Sequence, residues 1–144
     1  MKKPAFTLIE ILMSIAIIAI ISAIGIPVYQ SFQTRNDLDV ATVTVVQSLR
    51  RAQILAQASD GDSSWGVYAT SGSIIIFKGT SYSGRSTSSD EVFVVPASIN
   101  PATSSEYIYN KFSGLPTATG TINLISITNE SRNITINSKG TVSY

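Results

Sequence analysis

The sequence predicts an α+β protein: a long N-terminal α-helix, its first half transmembrane, packed on a small antiparallel β-sheet domain. Three observations carry this. An almost charge-free apolar run opens the chain, a helix-period stripe follows it, and short β-branched or aromatic runs separated by turn clusters fill the remainder. The 144 residues suffice for one small domain with one core. Charged residues make up only 13% of the chain and the net charge is +1. That balance excludes a disordered polyelectrolyte and disfavours a strongly basic nucleic-acid binder. There is no Cys and no His. Disulfides, thiolate metal sites, nucleophilic thiols and imidazole bases are therefore all excluded. Enzymatic activity is disfavoured, and no catalytic residue, metal ligand or cofactor is assigned.

The first element is the apolar run. Phe6 to Tyr29 holds 24 residues and one charge, Glu10, and Ile11 to Val28 holds none. About 20 apolar residues in a helix cross a bilayer. Lys2 and Lys3 precede the run, so the positive-inside rule keeps the N-terminus cytoplasmic and puts the C-terminal domain outside the cytoplasm. Three readings fit. Residues 1–25 could be a secretory signal cut after Ala23-Ile24-Gly25, leaving a secreted β-domain adhesin or binding protein. The run could be a plain signal anchor on such a domain. Or the chain could be cut just before Phe6 and keep the helix. Glu10 separates these, because a carboxylate in an apolar helix costs up to about 3 kcal/mol on insertion scales and a signal peptide gains nothing from it.

The residues here carry a family resemblance. Lys2-Lys3-Pro4-Ala5, then Phe6-Thr7-Leu8-Ile9-Glu10 and an Ile/Ala-rich run, resembles the processing site of type IV prepilins and pseudopilins. The resemblance implies that a prepilin peptidase removes the leader, residues 1–5, between Ala5 and Phe6 and methylates the Phe6 amine. The family usually places Gly before the cut, where this chain has Ala5. It further implies a pilin fold, membrane storage of the subunit, and polymerisation with other pilin or pseudopilin subunits through an assembly platform in the cytoplasmic membrane. The product would be a homo- or hetero-polymeric helical filament, periplasmic or extracellular. Glu10 would then pair with a neighbour's Phe6 amine, and a buried carboxylate matched to an ammonium is far cheaper than one left alone. Gly25 and Pro27 form a helix break within the 6–29 segment. They either end or kink the helix there or, as the resemblance implies, mark a stretch that unwinds in the filament.

The helix continues over residues 30–58, where no Gly or Pro intervenes. Leu38, Thr42, Val45, Leu49, Ala52 and Ala56 share one face, with Arg35, Asp39, Arg50 and Gln57 off it. As one helix, residues 6–58 would be ~80 Å long.

Ser and Thr then make up 28 of the 86 residues from Ser59 to Tyr144. Strands are predicted over 65–70, 73–78, 91–95, 106–112, 121–128, 132–137 and 141–144, with turns at 71–72, 79–90, 96–105, 113–120, 129–131 and 138–140. Within the superfamily this part is similar to the GspH/FimT group of minor pilins and pseudopilins. The similarity rests on Leu49 to Ala56, Trp65-Gly66-Val67 and the stretch Ile134 to Val142.

Other candidates read as ordinary structure. Asp60-Gly61-Asp62-Ser63-Ser64 lacks the ligand spacing and closing Glu of a calcium loop and reads as a helix-ending turn. The Ser-rich 79–90 stretch, which carries Arg85, reads as a solvated hairpin loop. Tyr107 and Tyr109 share a strand face and read as core. Lys139 has no cation near it in sequence, so DNA binding is unlikely.

Overall fold

Glu10 and Lys-free apolar residues open a helix that the Ala-, Leu-, Gln- and Arg-rich stretch beyond Phe32 can continue, since all are strong helix formers. In the computed structural model, which describes residues 6–144 apart from the side chains of residues 24 and 26, that helix is α1 (Leu8–Gln57). Eight strands follow it: β1 (Trp65–Thr70), β2 (Ser73–Lys78), β3 (Ser86–Val94), β4 (Ile99–Pro101), β5 (Ser105–Tyr109), β6 (Gly120–Ser126), β7 (Ser131–Ile136) and β8 (Val142–Ser143). The chain divides into two compact units, Met1–Gln33 and Thr34–Tyr144.

In the first unit every described side chain from Phe6 to Gln33 is exposed. α1 is long and apolar enough to cross a membrane. It runs through Gly25 and Pro27, so the missing Pro27 N–H removes a backbone hydrogen bond without ending the helix in this isolated chain.

The second unit buries one face of α1. Leu38, Thr42, Val45, Leu49, Ala52 and Ala56 are all buried, as their spacing predicts, and Ala41, Val46 and Ser48 widen the stripe. Four of these nine side chains are small, Ala41, Ser48, Ala52 and Ala56. Leu38 and Leu49 are fully buried, and truncating either to Ala costs about 2–5 kcal/mol. Around α1 the strands form two antiparallel sheets, in the orders β3-β2-β1-β5 and β4-β6-β7-β8. Alternation along the sequence predicts one sheet; the pairing gives two. Inward residues Val67, Ala69, Ile74, Ile76, Tyr107 and Tyr109 from the first sheet meet Ile122, Leu124, Ile134, Ile136 and Val142 from the second in one cluster with α1.

β1 and β2 lie at the expected residues. The last three, β6 to β8, differ from expectation by one or two residues at each end, and β3 to β5 differ by more. β3 begins at Ser86, inside the stretch read as a loop, because Ser86 pairs with Lys78 and extends the sheet edge. β4 lies inside the predicted 96–105 turn, held by three residue pairs with β6. β5 stops at Tyr109, because the next residues turn to cap α1: the Phe112 N–H donates to the Ala56 carbonyl at 3.0 Å.

Polar contacts fix both flanks of α1. Arg35 pairs with Glu130 at 2.9 Å, Ser98 Oγ donates to Asp37 at 2.9 Å, and Arg132 pairs with Asp39 at 3.1 Å. Farther along, Gln53 Nε2 donates to the carbonyls of Gly114 at 3.0 Å and Lys139 at 3.3 Å. On the opposite flank Arg51 grips Glu91 of β3.

Candidate assembly site

A helix start leaves its first N–H groups without intrahelical partners, and water is not available to satisfy them in lipid. Thr7 and Glu10 solve this between them. Glu10 Oε2 accepts from the Thr7 N–H and from Thr7 Oγ1, each at 2.8 Å, and the Glu10 N–H donates to Thr7 Oγ1 at 3.4 Å. This is a capping box, the T-x-x-E arrangement in which side chain and backbone satisfy each other. One turn on, Ser14 Oγ donates to the Glu10 carbonyl at 2.8 Å. Among the described residues Glu10 Oε1 has no hydrogen-bond partner, and Phe6 is exposed.

The capping box gives Glu10 a local role that charge arithmetic missed. Thr7 is the residue the sequence reading left out, and the T-x-x-E spacing would have found it. Ala5 and the leader lie outside the described residues. A Cβ built on Gly25 would meet nothing within 4 Å, so packing in this unit does not require glycine there.

The remaining candidates resolve as structure. Asp60–Asp62 is a single 3-10 turn with left-handed backbone at Ser59, Gly61 and Asp62. Trp65 Nε1 donates to the Asp60 carbonyl, and Asp62 is bonded to the Lys111 ammonium, which holds its carboxyl below the usual range. No group of three metal-ligating side chains exists among the described residues.

The Ser-rich stretch is a folded strap rather than a solvated loop. Tyr82 stacks on Tyr68 with ring centroids 3.8 Å apart, and the Arg85 guanidinium lies 3.7 Å over the other face of the Tyr82 ring. Arg85 also pairs with Asp90 at 2.8 Å, and Glu106 accepts from the Tyr82 N–H. Beneath the strap Phe77 is fully buried, edge-on to Tyr82.

Tyr107 and Tyr109 are buried. Desolvation pushes the Tyr109 phenol up to about 12. Lys139 lies in the turn before β8, its carbonyl held by Gln53.

The described residues thus form a helix long and apolar enough to cross a membrane, with a capped carboxylate in its first turn, and a small β-domain. Residues 1–26 match the family described as the prokaryotic N-terminal methylation motif, which supports the resemblance to type IV pilins and pseudopilins. No curated protein and no solved structure matches.

Proposed function

We propose that this chain is a structural subunit of a type IV pilus or a type II secretion-like filament, of the minor-pilin or pseudopilin kind. Prepilin peptidase removes residues 1–5, and the Phe6 amine is methylated. The subunit waits in the cytoplasmic membrane as a single-pass protein with Thr34–Tyr144 outside the cytoplasm. It then joins the filament through its N-terminal helix. The carrying observation is Glu10, a lone carboxylate in an apolar segment, capped by Thr7 on one oxygen with its other oxygen unpartnered among the described residues.

The driving force is the exchange of lipid contacts for helix–helix packing. A neighbour's Phe6 ammonium neutralises Glu10 at that moment. Gly25 and Pro27 supply the stretch that opens when subunits pack. Opening costs less at Pro27, which has no N–H to lose from the ladder.

Mass spectrometry of the N-terminal peptide, from membranes and sheared filaments of the native host, tests the proposal. A chain beginning at methylated Phe6 is expected. A chain beginning at Ile26 would make this a secreted β-domain, and an intact Met1 start would make it an ordinary anchored protein.

A further inference from the structure

One pole of the Thr34–Tyr144 unit is built where α1 enters it. Arg35, Asp37 and Asp39 are the first charged residues after Glu10, and each holds a part of the β-domain. Arg35 pairs with Glu130, Asp39 pairs with Arg132, and Asp37 accepts from Ser98 Oγ. These contacts keep the β6–β7 turn, residues 127–130, and the 95–98 loop at the start of the unit. The turn is well bonded. The Asn129 N–H donates to the Ser126 carbonyl at 3.0 Å, and the Ile127 N–H donates to the Ser98 carbonyl at 3.0 Å. The Thr128 and Glu130 N–H groups both donate to Ser126 Oγ, at 3.3 and 3.1 Å.

This bonded turn leaves an apolar side chain in water. Ile127 is 71% exposed, and Ala97, next to Ser98, is exposed as well. A single exposed Ile is ordinary; its place along the chain is what distinguishes this one. The charge-free run Ile11 to Val28 covers about 27 Å as a helix, close to the ~30 Å hydrocarbon core of a bilayer. Arg35 follows Val28 about 10 Å farther along α1. The polar layer outside the core is roughly 5–8 Å deep on each side. Tyr29 and Phe32, both exposed, fall in that interval, where the aromatic residues of spanning helices concentrate. The turn bonded to Arg35 therefore belongs to the outer margin of the headgroup layer. Its charges do not oppose contact with lipid, because Arg35 and Arg132 are matched to Glu130 and Asp39 and none is left alone.

We infer that the β6–β7 turn, led by Ile127, seats in the headgroup layer of the bilayer that α1 crosses, so that the partner of this surface is lipid. The inference rests on the single-pass membrane reading under the proposed function. An apolar side chain gains by entering the boundary between headgroups and acyl chains. One turn offers too little area to hold a free protein there, but α1 tethers it at the surface and makes the contact intramolecular in effect. The other end of α1 is unlike this. Gln57 lies roughly 33 Å beyond Arg35, and the turn after it carries Asp60 and Asp62, the latter paired with Lys111. The contact would steady the β-domain on the membrane while the subunit waits, and it would have to break when the subunit leaves for a filament.

The chain has no cysteine, so a single label can be placed at will. Full-length chain carrying Thr128→Cys, or Ala58→Cys beyond the far end of α1, is labelled with an environment-sensitive fluorophore. Each is reconstituted into phosphatidylcholine vesicles at low protein density. The expected result is blue-shifted emission at residue 128, quenched by lipids that carry a quencher at the headgroup. Residue 58 should give water-like, unquenched emission. Adding Ile127→Ser to the Thr128→Cys chain should lower the docked-to-free ratio by about tenfold and leave β-domain melting unchanged, since Ile127 is exposed. Water-like emission at residue 128, equal quenching at both sites, or quenching that Ile127→Ser leaves intact would overturn the contact. A blue shift that fades as lipid is added in excess would assign the surface to a second copy, and overturns it too. Alkaline extraction of the same vesicles reports separately on the spanning helix. Protein that stays in the vesicles without the headgroup contact would sink this inference alone, and protein washed off would sink the membrane reading with it.

Discussion

Arg51 on α1 holds Glu91 on β3 through two nearly parallel hydrogen bonds, Nε to Oε2 at 2.6 Å and Nη2 to Oε1 at 2.7 Å. This fork-to-fork geometry ties the edge strand of the first sheet to the helix. The Arg51 hydrogen bonds hold the Glu91 carboxyl below the usual carboxylate range, and the Lys111 ammonium does the same for Asp62.

A pH dependence follows. Both folded-state values are depressed, so the unfolded chain binds protons first as the pH falls. The stabilisation is fully present above the ordinary carboxylate range, roughly pH 4 to 5, and is lost as the pH falls through the lowered folded values. Thermal melting of residues 34–144 should be flat against pH above about 5 and fall below about 4. Glu91→Gln should remove part of the acid slope, and an unchanged slope in that variant would exclude Glu91 as a contributor.

Glu10→Ala deletes the acceptor of the capping box, whose bonded partners Thr7 and Ser14 lie in the first unit. The melting transition of the β-domain should be unchanged, while incorporation into sheared filaments should be lost. Thr7→Val keeps the backbone N–H that Glu10 accepts and loses only the hydroxyl. It should weaken the helix start by about 1 kcal/mol and reduce incorporation partially. Normal incorporation of the Glu10→Ala chain would remove the carboxylate from the mechanism.

Gly66 in β1 leaves the space that Phe77 fills beneath the Tyr82 strap. A Cβ there would lie 2.5 Å from Phe77 Cζ and 3.0 Å from the Tyr107 carbonyl oxygen. The ring is enclosed and the carbonyl belongs to a paired strand, so neither can move cheaply. Gly66→Ala should cost about 1–3 kcal/mol, read by urea denaturation. Gly72, at a turn and with nothing within 4 Å of a Cβ, would lose stability only through its positive φ.

Tyr109 is fully buried and its hydroxyl has no hydrogen-bond partner among the described residues. Removing an unsatisfied polar atom from a packed ring is close to neutral or stabilising. Tyr109→Phe should therefore melt within about 1 kcal/mol of the parent or above it. A loss of several kcal/mol would mean the hydroxyl is satisfied by a buried water.

Much of this architecture was legible because its signals are local. The buried stripe of α1 follows the 3.6-residue period, and β1 and β2 sit between Gly-containing turns at their predicted residues. What was not legible is non-local. Ile99–Pro101 has no alternating pattern and ends in proline, so only its pairing with β6 makes it a strand. Ser86 to Ser89 has the hydroxyl-rich composition of a turn, and only the clamp of Arg85 on Tyr82 and Asp90, with the Ser86–Lys78 pairing, draws it into a sheet. The division into two sheets depends on which edges meet, and strand patterns do not encode that. At the candidate assembly site Glu10 stood out by isolation, whereas Thr7 was hidden in a motif that ordinary soluble helices also use.

The capping box also bears on how fast subunits could be captured. Holding Oε2 against Thr7 freezes the carboxylate rotors before any partner arrives, and Oε1 stays open among the described residues. In the proposed filament, an incoming ammonium would bind an acceptor whose orientational entropy was already spent in the membrane. It would break no existing bond to do so. Addition of the next subunit would then be limited by diffusion in the bilayer and by the assembly machinery, not by rearrangement of the receiving site.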